Sequence, residues 1–211
     1  MLIKALAIPK SQLTVVKENS TLQEAIDILE ESGFRCVPIL DESGTIFRGN
    51  IYKMHIYRHK ANNGDMNLPV THLLKNATKY VLTDSSFLKV FFSIKELPYI
   101  AVLDKNKKFY GILTHNAMLG MLQSSWNVDD ASFVLNVISG GERGDLQTVA
   151  KIINRYSDIA SCITLDSQGN RSLRRMIFTL PRSVEEDVLN KIITHLEKKQ
   201  FTIAEIEDLR E

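Results

Sequence analysis

The spacing of apolar positions changes several times between residues 13 and 60, and each change marks an element. Leu13-Thr14-Val15-Val16 is a short β-rich stretch, and from Leu22 the period turns helical, with Leu22, Ala25, Ile26 and Leu29 on one face. Ser20 and Gln23 have the spacing of a capping box, which predicts a helix capped by Ser20. Cys36-Val37-Pro38-Ile39-Leu40 is an unbroken apolar run of strand length that ends on Asp41. Glu42-Ser43-Gly44 predicts a turn, Ile46-Phe47-Arg48-Gly49 a returning strand, and Met54–Lys60 a second helix.

The same order returns 65 positions further on. The stretch from Lys10 to Leu22 aligns with that from Lys75 to Phe87, and Phe87, Val90, Phe91 and Ile94 repeat the helical face. Tyr99-Ile100-Ala101-Val102-Leu103-Asp104 then matches the run ending at Asp41, with two residues fewer at the helix–strand turn. Lys105-Asn106-Lys107, Phe109-Tyr110-Gly111 and Asn116–Gln123 complete the second copy. Helical faces, Asp turns and glycines in step identify an internal repeat, strand–helix–strand–strand–helix. Repeat one covers residues 5–60 or so, repeat two about 70–125.

Beyond residue 127 the order differs. Ser132–Ile138 alternates like a strand, a glycine-rich stretch (Ser139–Asp145) follows, and a helix is expected from Leu146 to Tyr156. Strands near Ile159–Leu165 and Leu173–Leu180 flank a hairpin turn at Asp166-Ser167-Gly169-Asn170. A helix from Arg182 to Lys199 carries Val184, Val188, Ile192 and Leu196 on one stripe, and Phe201–Ile206 is a last strand. This βαββαβ order predicts a ferredoxin-like sandwich. The domains expected are therefore 1–127 and 128–211, both of mixed α/β (α+β) class, joined by the short junction Trp126–Asp130.

Composition narrows the function classes. The chain has 211 residues, 44% hydrophobic and 24% charged, with net charge +1, so neither nucleic acid nor an anionic membrane is expected as a partner. Residues 1–127 carry 15 Lys and Arg against 11 Asp and Glu, while residues 128–211 carry 11 against 14. A mildly basic first half suits a small anionic ligand. No apolar run has membrane-spanning length, and Lys4 and Pro9 interrupt the apolar N-terminus, so a cytoplasmic protein is expected. Cys36 and Cys162 are far apart and read as reduced thiols.

Residues 1–127 resemble a pair of CBS repeats, the arrangement called a Bateman module. The most diagnostic piece is Gly111-Ile112-Leu113-Thr114-His115-Asn116-Ala117, similar to the family's Gly–apolar–apolar–Thr–x–x–Asp. Gly49-Asn50-Ile51-Tyr52-Lys53-Met54-His55 is a degenerate copy. The remaining residues, with their order and the loop Gly140-Gly141-Glu142-Arg143-Gly144-Asp145-Leu146, look like an ACT domain. The CBS resemblance implies two clefts. Cleft one would join Lys10, Ser11, Gln12, Leu13 and Thr14 to Tyr99, Thr114, His115 and Asn116. Cleft two would join Lys75, Asn76, Ala77 and Thr78 to Arg35, Cys36, Tyr52 and Met54. In the family's manner, Gly111 would admit the ligand close to the backbone and Thr114 would bond a phosphate or ribose oxygen. The equivalent lysines Lys10 and Lys75 would meet phosphates, and Tyr99 or Tyr52 would stack on adenine. Cleft one is favoured because it keeps the Thr. Where the family has its ribose-gripping Asp, this chain has Ala117 and His55.

That departure favours a ligand other than linear AMP or ATP, and the CBS–ACT order resembles bacterial proteins that bind cyclic di-AMP. The expected function is a non-catalytic regulatory sensor of an adenine nucleotide, acting as a homodimer on an unknown protein partner, with no cofactor. AMP or ATP sensing, a vestigial dimerisation module and a small-metabolite enzyme remain alternatives. For the enzyme, Gly140–Gly144 lacks full GxGxxG spacing and no nucleophile motif accompanies any Ser, Cys or His. His55 and His59 have the spacing of a two-His metal pair, but no HExxH surrounds them, so no metal is expected. Arg171, Arg174 and Arg175 are expected to keep a strand soluble or to blunt a sheet edge.

Overall fold

The computed structural model describes residues 3–94, 97–166 and 174–210. Met1 and Leu2, together with Ser167, Gly169 and Asn170 of the expected turn, Arg171 and Leu173, lie outside the described residues. The chain divides into two compact units, Met1–Leu119 and Gly120–Glu211, and the division falls inside a helix upstream of residue 127.

Unit one begins with α1 (Ile3–Leu6) and β1 (Ile8–Pro9), followed by a 3₁₀ turn at Lys10–Gln12 and β2 (Val16–Lys17). Helix α2 (Leu22–Ser32) buries Leu22, Ala25, Ile26 and Leu29, as its period predicts. Its cap is Thr21 rather than Ser20. Thr21 Oγ1 accepts from Glu24 N at 3.1 Å, and Glu24 Oε2 accepts from Thr21 N at 2.8 Å. Ser20 N instead donates to Lys17 O, closing the turn ahead of the helix. Strands β3 (Cys36–Leu40) and β4 (Phe47–Tyr52) and helix α3 (Lys53–Ala61) complete repeat one. Repeat two follows as β5 (Tyr80–Leu82), α4 (Phe87–Ser93), β6 (Tyr99–Leu103), β7 (Phe109–Thr114) and α5 (His115–Trp126).

The repeats match in register as well as in order. β2 pairs parallel with β3 (Val16 opposite Ile39), and β5 pairs parallel with β6 (Val81 opposite Val102). β3 and β4 are antiparallel from Cys36–Tyr52 to Leu40–Phe47, and β6 and β7 from Tyr99–Thr114 to Leu103–Phe109. Each antiparallel pair has a register shift at the same place, before Leu40 and before Leu103. The loop before each returning strand is closed alike: Asp41 Oδ1 accepts from Thr45 N and Ile46 N, and Asp104 Oδ1 from Asn106 N and Lys108 N.

The repeats also exchange their leading segments. β1 of repeat one pairs with β7 of repeat two, Ile8 opposite Ile112 and Pro9 opposite Gly111. In return Lys75 bridges to Asn50 on β4 through both backbone bonds, 2.7 and 2.9 Å. This explains both glycines. A Cβ on Gly111 would lie 2.0 Å from Ile8 O, and one on Gly49 2.7 Å from Lys75 O. Gly111 therefore admits the neighbouring repeat's backbone.

Among the described residues, three apolar clusters fill the unit. One belongs to repeat one around Leu22, Leu29, Ile39 and Ile51, and one to repeat two around Val90, Val102, Leu113 and Met118. The third lies where the sheets meet, and includes Cys36, Leu40, Phe47, Tyr99, Leu103, Phe109 and Ile112. There the equivalent rings of Phe47 and Phe109 stack at 5.7 Å.

Unit two carries the C-terminal half of α5, then β8 (Ala131–Ser139), α6 (Asp145–Ile153), β9 (Ser161–Asp166), β10 (Arg174–Pro181), α7 (Glu186–Lys198) and β11 (Thr202–Asp208). The sheet order is β11-β8-β10-β9, all antiparallel, which is the ferredoxin-like arrangement. Phe133, Leu135 and Val137 of β8 and Met176, Phe178 and Leu180 of β10 pack against Val149, Ile153, Ile192 and Leu196 of the helices. β10 is paired on both sides, so Arg174 and Arg175 guard no edge. No described helix is long and apolar enough to cross a membrane.

Candidate functional site

Cleft one exists as a cavity. Ile8, Gln12, Leu13, Thr14, Phe34, Cys36, Val37, Pro38, Tyr99, Ile112 and Thr114 enclose 240 Å³. Of the residues the sequence assigned to this cleft, the structure brings together Gln12, Leu13, Thr14, Tyr99 and Thr114. The exchange of leading segments is what sets Leu13 and Thr14 of repeat one beside Thr114 of repeat two.

The others go elsewhere. Lys10 Nζ donates to Gly44 O at 2.7 Å, and Ser11 is an exposed residue of the 3₁₀ turn. Lys10 is not the structural counterpart of Lys75: the ladder position opposite Ile112 is held by Ile8, and that opposite Asn50 by Lys75. From bridge to strand, repeat one therefore has two more residues than repeat two, and the turn at Lys10–Gln12 takes them up. His115 faces a separate apolar cavity with Phe91, Phe92, Ile94, Met118 and Leu119, and Asn116 is exposed. Thr114 also caps α5, its Oγ1 accepting from Ala117 N at 3.2 Å. The cap leaves Thr114 in the cavity wall, so the two roles coexist.

Around Tyr52 a second cavity of 460 Å³ is lined by Arg35, Cys36, Tyr52, Lys53, Met54, Tyr57 and Pro98. Arg35, Cys36, Tyr52 and Met54 meet here as expected; Lys75, Ala77 and Thr78 do not line it. Asn76 touches the group only through Tyr52, its Nδ2 donating to Tyr52 Oη at 2.6 Å. Lys53 is held by Glu30 at 2.9 Å, and Tyr57 Oη donates to the same carboxylate.

Between the two cavities runs a buried polar chain. Tyr99 Oη donates to Asn50 Oδ1 at 2.8 Å, and Cys36 Sγ donates to Tyr99 Oη at 3.6 Å. Burial pushes the Cys36 thiol up to about 11, with hydrogen bonds to Tyr99 and Tyr52 acting the other way. Burial likewise raises Tyr52 to about 12, aided by neighbouring Cys36, and lifts Tyr99 well above the usual phenol range. The chain is therefore uncharged at neutral pH, and Cys36 is a hydrogen-bonding group rather than a nucleophile.

His55 packs its ring beside Tyr52, with centroids 5.2 Å apart. Burial, then Lys75 and Arg58, hold its pKa below the ordinary value, and its buried Nδ1 has no hydrogen-bond partner among the described residues. His59 turns instead to His72, centroids 5.5 Å apart, so the two helix histidines do not face one ion. Among the described residues no group of three or more His, Cys, Asp or Glu is placed to hold a metal.

Sequence reading missed Ile8, Phe34, Val37, Pro38 and Ile112 in the wall of cleft one, and gave Cys36 to cleft two alone. All five residues of β3 are buried, so no alternation marks which side chains face the cleft.

Residues 4–62 match the family model of the CBS domain. Among solved structures, CbpB in complex with c-di-AMP is 16% identical, covering 59% of this chain and 85% of its own, with a TM-score of 0.54. CBSX2 in complex with AMP is 18% identical over 58% of this chain and 96% of its own, TM-score 0.52. A CBS domain pair/ACT domain protein from Thermotoga maritima is 18% identical over 59% of this chain and 98% of its own, TM-score 0.50. At such identities the likeness concerns the fold. No curated protein matches the chain. Residues 4–62 thus match the CBS domain, the two repeats share the fold of the CBS-pair neighbours, and unit two has a ferredoxin-like fold.

Proposed function

We propose that the CBS pair is a non-catalytic sensor that takes an adenine nucleotide in cleft one, cyclic di-AMP being the ligand favoured. The observation that carries this reading is the 240 Å³ cavity walled by both repeats, with Thr114 at the start of α5. Ile8, Leu13, Phe34, Val37, Pro38, Tyr99 and Ile112 offer a purine an apolar slot. Gln12, Thr14 and Thr114 supply hydrogen-bonding groups for a base edge or a ribose. Among the described residues no cation lines the cavity, so the phosphates are assigned to its mouth, near the first-turn amides of α5 at His115 and Asn116. Neighbours of the same fold solved with c-di-AMP and with AMP support an adenine ligand.

The preference for the cyclic dinucleotide comes from Ala117. A carboxylate at that position would bind both vicinal hydroxyls of a linear nucleotide's ribose. In a 3′,5′-cyclic dinucleotide the 3′ oxygen is esterified, so loss of the carboxylate costs that ligand less. In this reading the chain works as a homodimer. Ligand shifts the population of two arrangements of the CBS pairs, and the ACT-like unit or a protein partner reads the shift.

Calorimetric titration of the full chain with cyclic di-AMP, AMP and ATP tests the reading. Binding of cyclic di-AMP, tighter than AMP and weakened by Thr114→Val, is expected. Tighter AMP binding would replace the cyclic ligand with a linear one, and no binding of any of the three would remove the sensor reading.

A further inference from the structure

Because the two repeats agree strand for strand, each wall of one cleft has a counterpart in the other. The registers pair Cys36 with Tyr52 and Tyr99 with Thr114, which makes Tyr52 the counterpart of Thr114. Thr114 is short, its hydroxyl is turned back to the amide of Ala117, and the 240 Å³ cavity opens beside it. At Tyr52 a phenol ring stands in the equivalent place.

That ring is held from several sides. Asn76, in the leading segment of repeat two, donates Nδ2 to Tyr52 Oη at 2.6 Å. Asn76 adopts φ 60, a left-handed conformation that Asn tolerates better than most residues. It follows Lys75, whose backbone Asn50 holds through both of its own peptide groups. His55 packs on the ring, and Tyr52 joins Cys36 and Phe47 in the cluster where the sheets meet. The cavity that does open near Tyr52 is lined by the ends of β3 and β4, by α3 and by Pro98, with nothing from the leading segment. Cleft one, by contrast, takes Gln12, Leu13 and Thr14 from a leading segment two residues longer.

We propose that Tyr52 and Asn76 form a latch that closes cleft two, so that the CBS pair offers a single nucleotide cleft, cleft one. The proposal rests on the reading of cleft one as the nucleotide site. A base entering cleft two has to displace a packed phenol and break its bond to Asn76, whereas cleft one asks for neither. The asymmetry is a property of side chains, Tyr52 with its partner Asn76 against Thr114, set on one duplicated backbone.

The test counts sites at saturation by equilibrium dialysis of the full chain with labelled cyclic di-AMP and AMP. Three proteins are compared, each checked for a cooperative melt: wild type, Tyr52→Thr and Thr114→Tyr. Tyr52→Thr opens the closed cleft and is expected to double the number of sites per chain. Thr114→Tyr closes the open cleft and is expected to abolish binding. A wild type with as many sites as Tyr52→Thr overturns the latch while leaving the sensor reading in place. So does a folded Thr114→Tyr protein that keeps half its sites, which decides the matter even where Tyr52→Thr fails to fold. A wild type that binds neither ligand overturns the sensor reading, and the latch with it.

Discussion

Tyr99 on β6 donates its hydroxyl to Asn50 on β4 across 2.8 Å, tying repeat two to repeat one through a side chain only 1% exposed. Asn50 occupies the ladder position that Ile112 holds in repeat two, so the pair breaks the symmetry of the duplication at its centre. Cys36 lines both cavities and shares the Tyr99 hydroxyl, which places this chain of hydrogen bonds between them.

Tyr99→Phe is expected to cost about 1–3 kcal/mol of stability, because Asn50 Oδ1 is left buried without its donor. Replacing both partners by apolar groups, Tyr99→Phe with Asn50→Leu, is expected to cost less than the two single changes added together. Denaturant midpoints of the four proteins measure the coupling, and simple additivity would show that the bond carries none.

Gly111→Ala is expected to lose at least ~2 kcal/mol, since its Cβ would lie 2.0 Å from Ile8 O and β1 would have to leave β7. Gly49→Ala should behave alike, with a contact of 2.7 Å to Lys75 O and a φ of 152. Gly120, inside α5 with nothing within 4 Å of a built Cβ, makes the contrast: Gly120→Ala should gain about 0.5–1 kcal/mol. Thermal melts of the three variants rank them.

His55 gives the stability a pH dependence of definite sign. Its folded pKa lies below the ordinary 6.5 because of burial, Lys75 and Arg58, so between the two values the unfolded chain binds more protons. Stability contributed through this group is fully present above about pH 6.5 and is lost as pH falls through the lowered value. His55→Asn should flatten that part of the profile. Denaturant midpoints for both proteins between pH 5 and 7.5 show whether it does.

The duplication was legible because both repeats carry a helical apolar face, a five-residue apolar strand followed by Asp, and a glycine in the returning strand, Gly49 and Gly111. The cap was read one residue early because Ser20/Gln23 and Thr21/Glu24 both have capping-box spacing; the reciprocal bonds between Thr21 and Glu24, and the turn that Ser20 N closes on Lys17 O, appear in the structure and not in the spacing. Lys10 and Lys75 were misaligned for a related reason. The two-residue difference lies in polar leading segments, where no hydrophobic period fixes the register. Leu13, Tyr99 and Thr114 were found because a sequence motif or its repeat marks them. The closure of cleft two by Tyr52 and Asn76 depends on a contact between residues 24 apart, which no local pattern encodes.

A fragment of residues 1–127 is proposed to fold alone. The three apolar clusters of unit one draw only on residues 3–118, and the fragment keeps α5 whole. A single cooperative transition by circular dichroism is expected. Aggregation of every fragment ending between 124 and 132 would count against the division.

Ala117→Asp tests what the missing carboxylate does. Thr114 caps α5 through Ala117 N, so residue 117 is the third residue of that helix, where a carboxylate is favoured by the free amides and the helix dipole. The substitution should therefore leave stability unchanged within about 0.5 kcal/mol, apart from the loss of the methyl that now packs beside the cluster around Met118. Its effect should appear in ligand choice. A carboxylate one turn from Thr114 can accept hydrogen bonds from both ribose hydroxyls of AMP, which should tighten AMP by roughly the 1.5–3 kcal/mol of a charged hydrogen bond. Cyclic di-AMP has no free 3′ hydroxyl to offer and brings a second phosphate, so the same carboxylate should weaken it. Parallel titrations of wild type and Ala117→Asp with both ligands decide the matter. An inversion of preference supports cleft one and the cyclic ligand together; equal small changes for both would mean that residue 117 does not face the bound ribose, and the argument from the missing aspartate would fall.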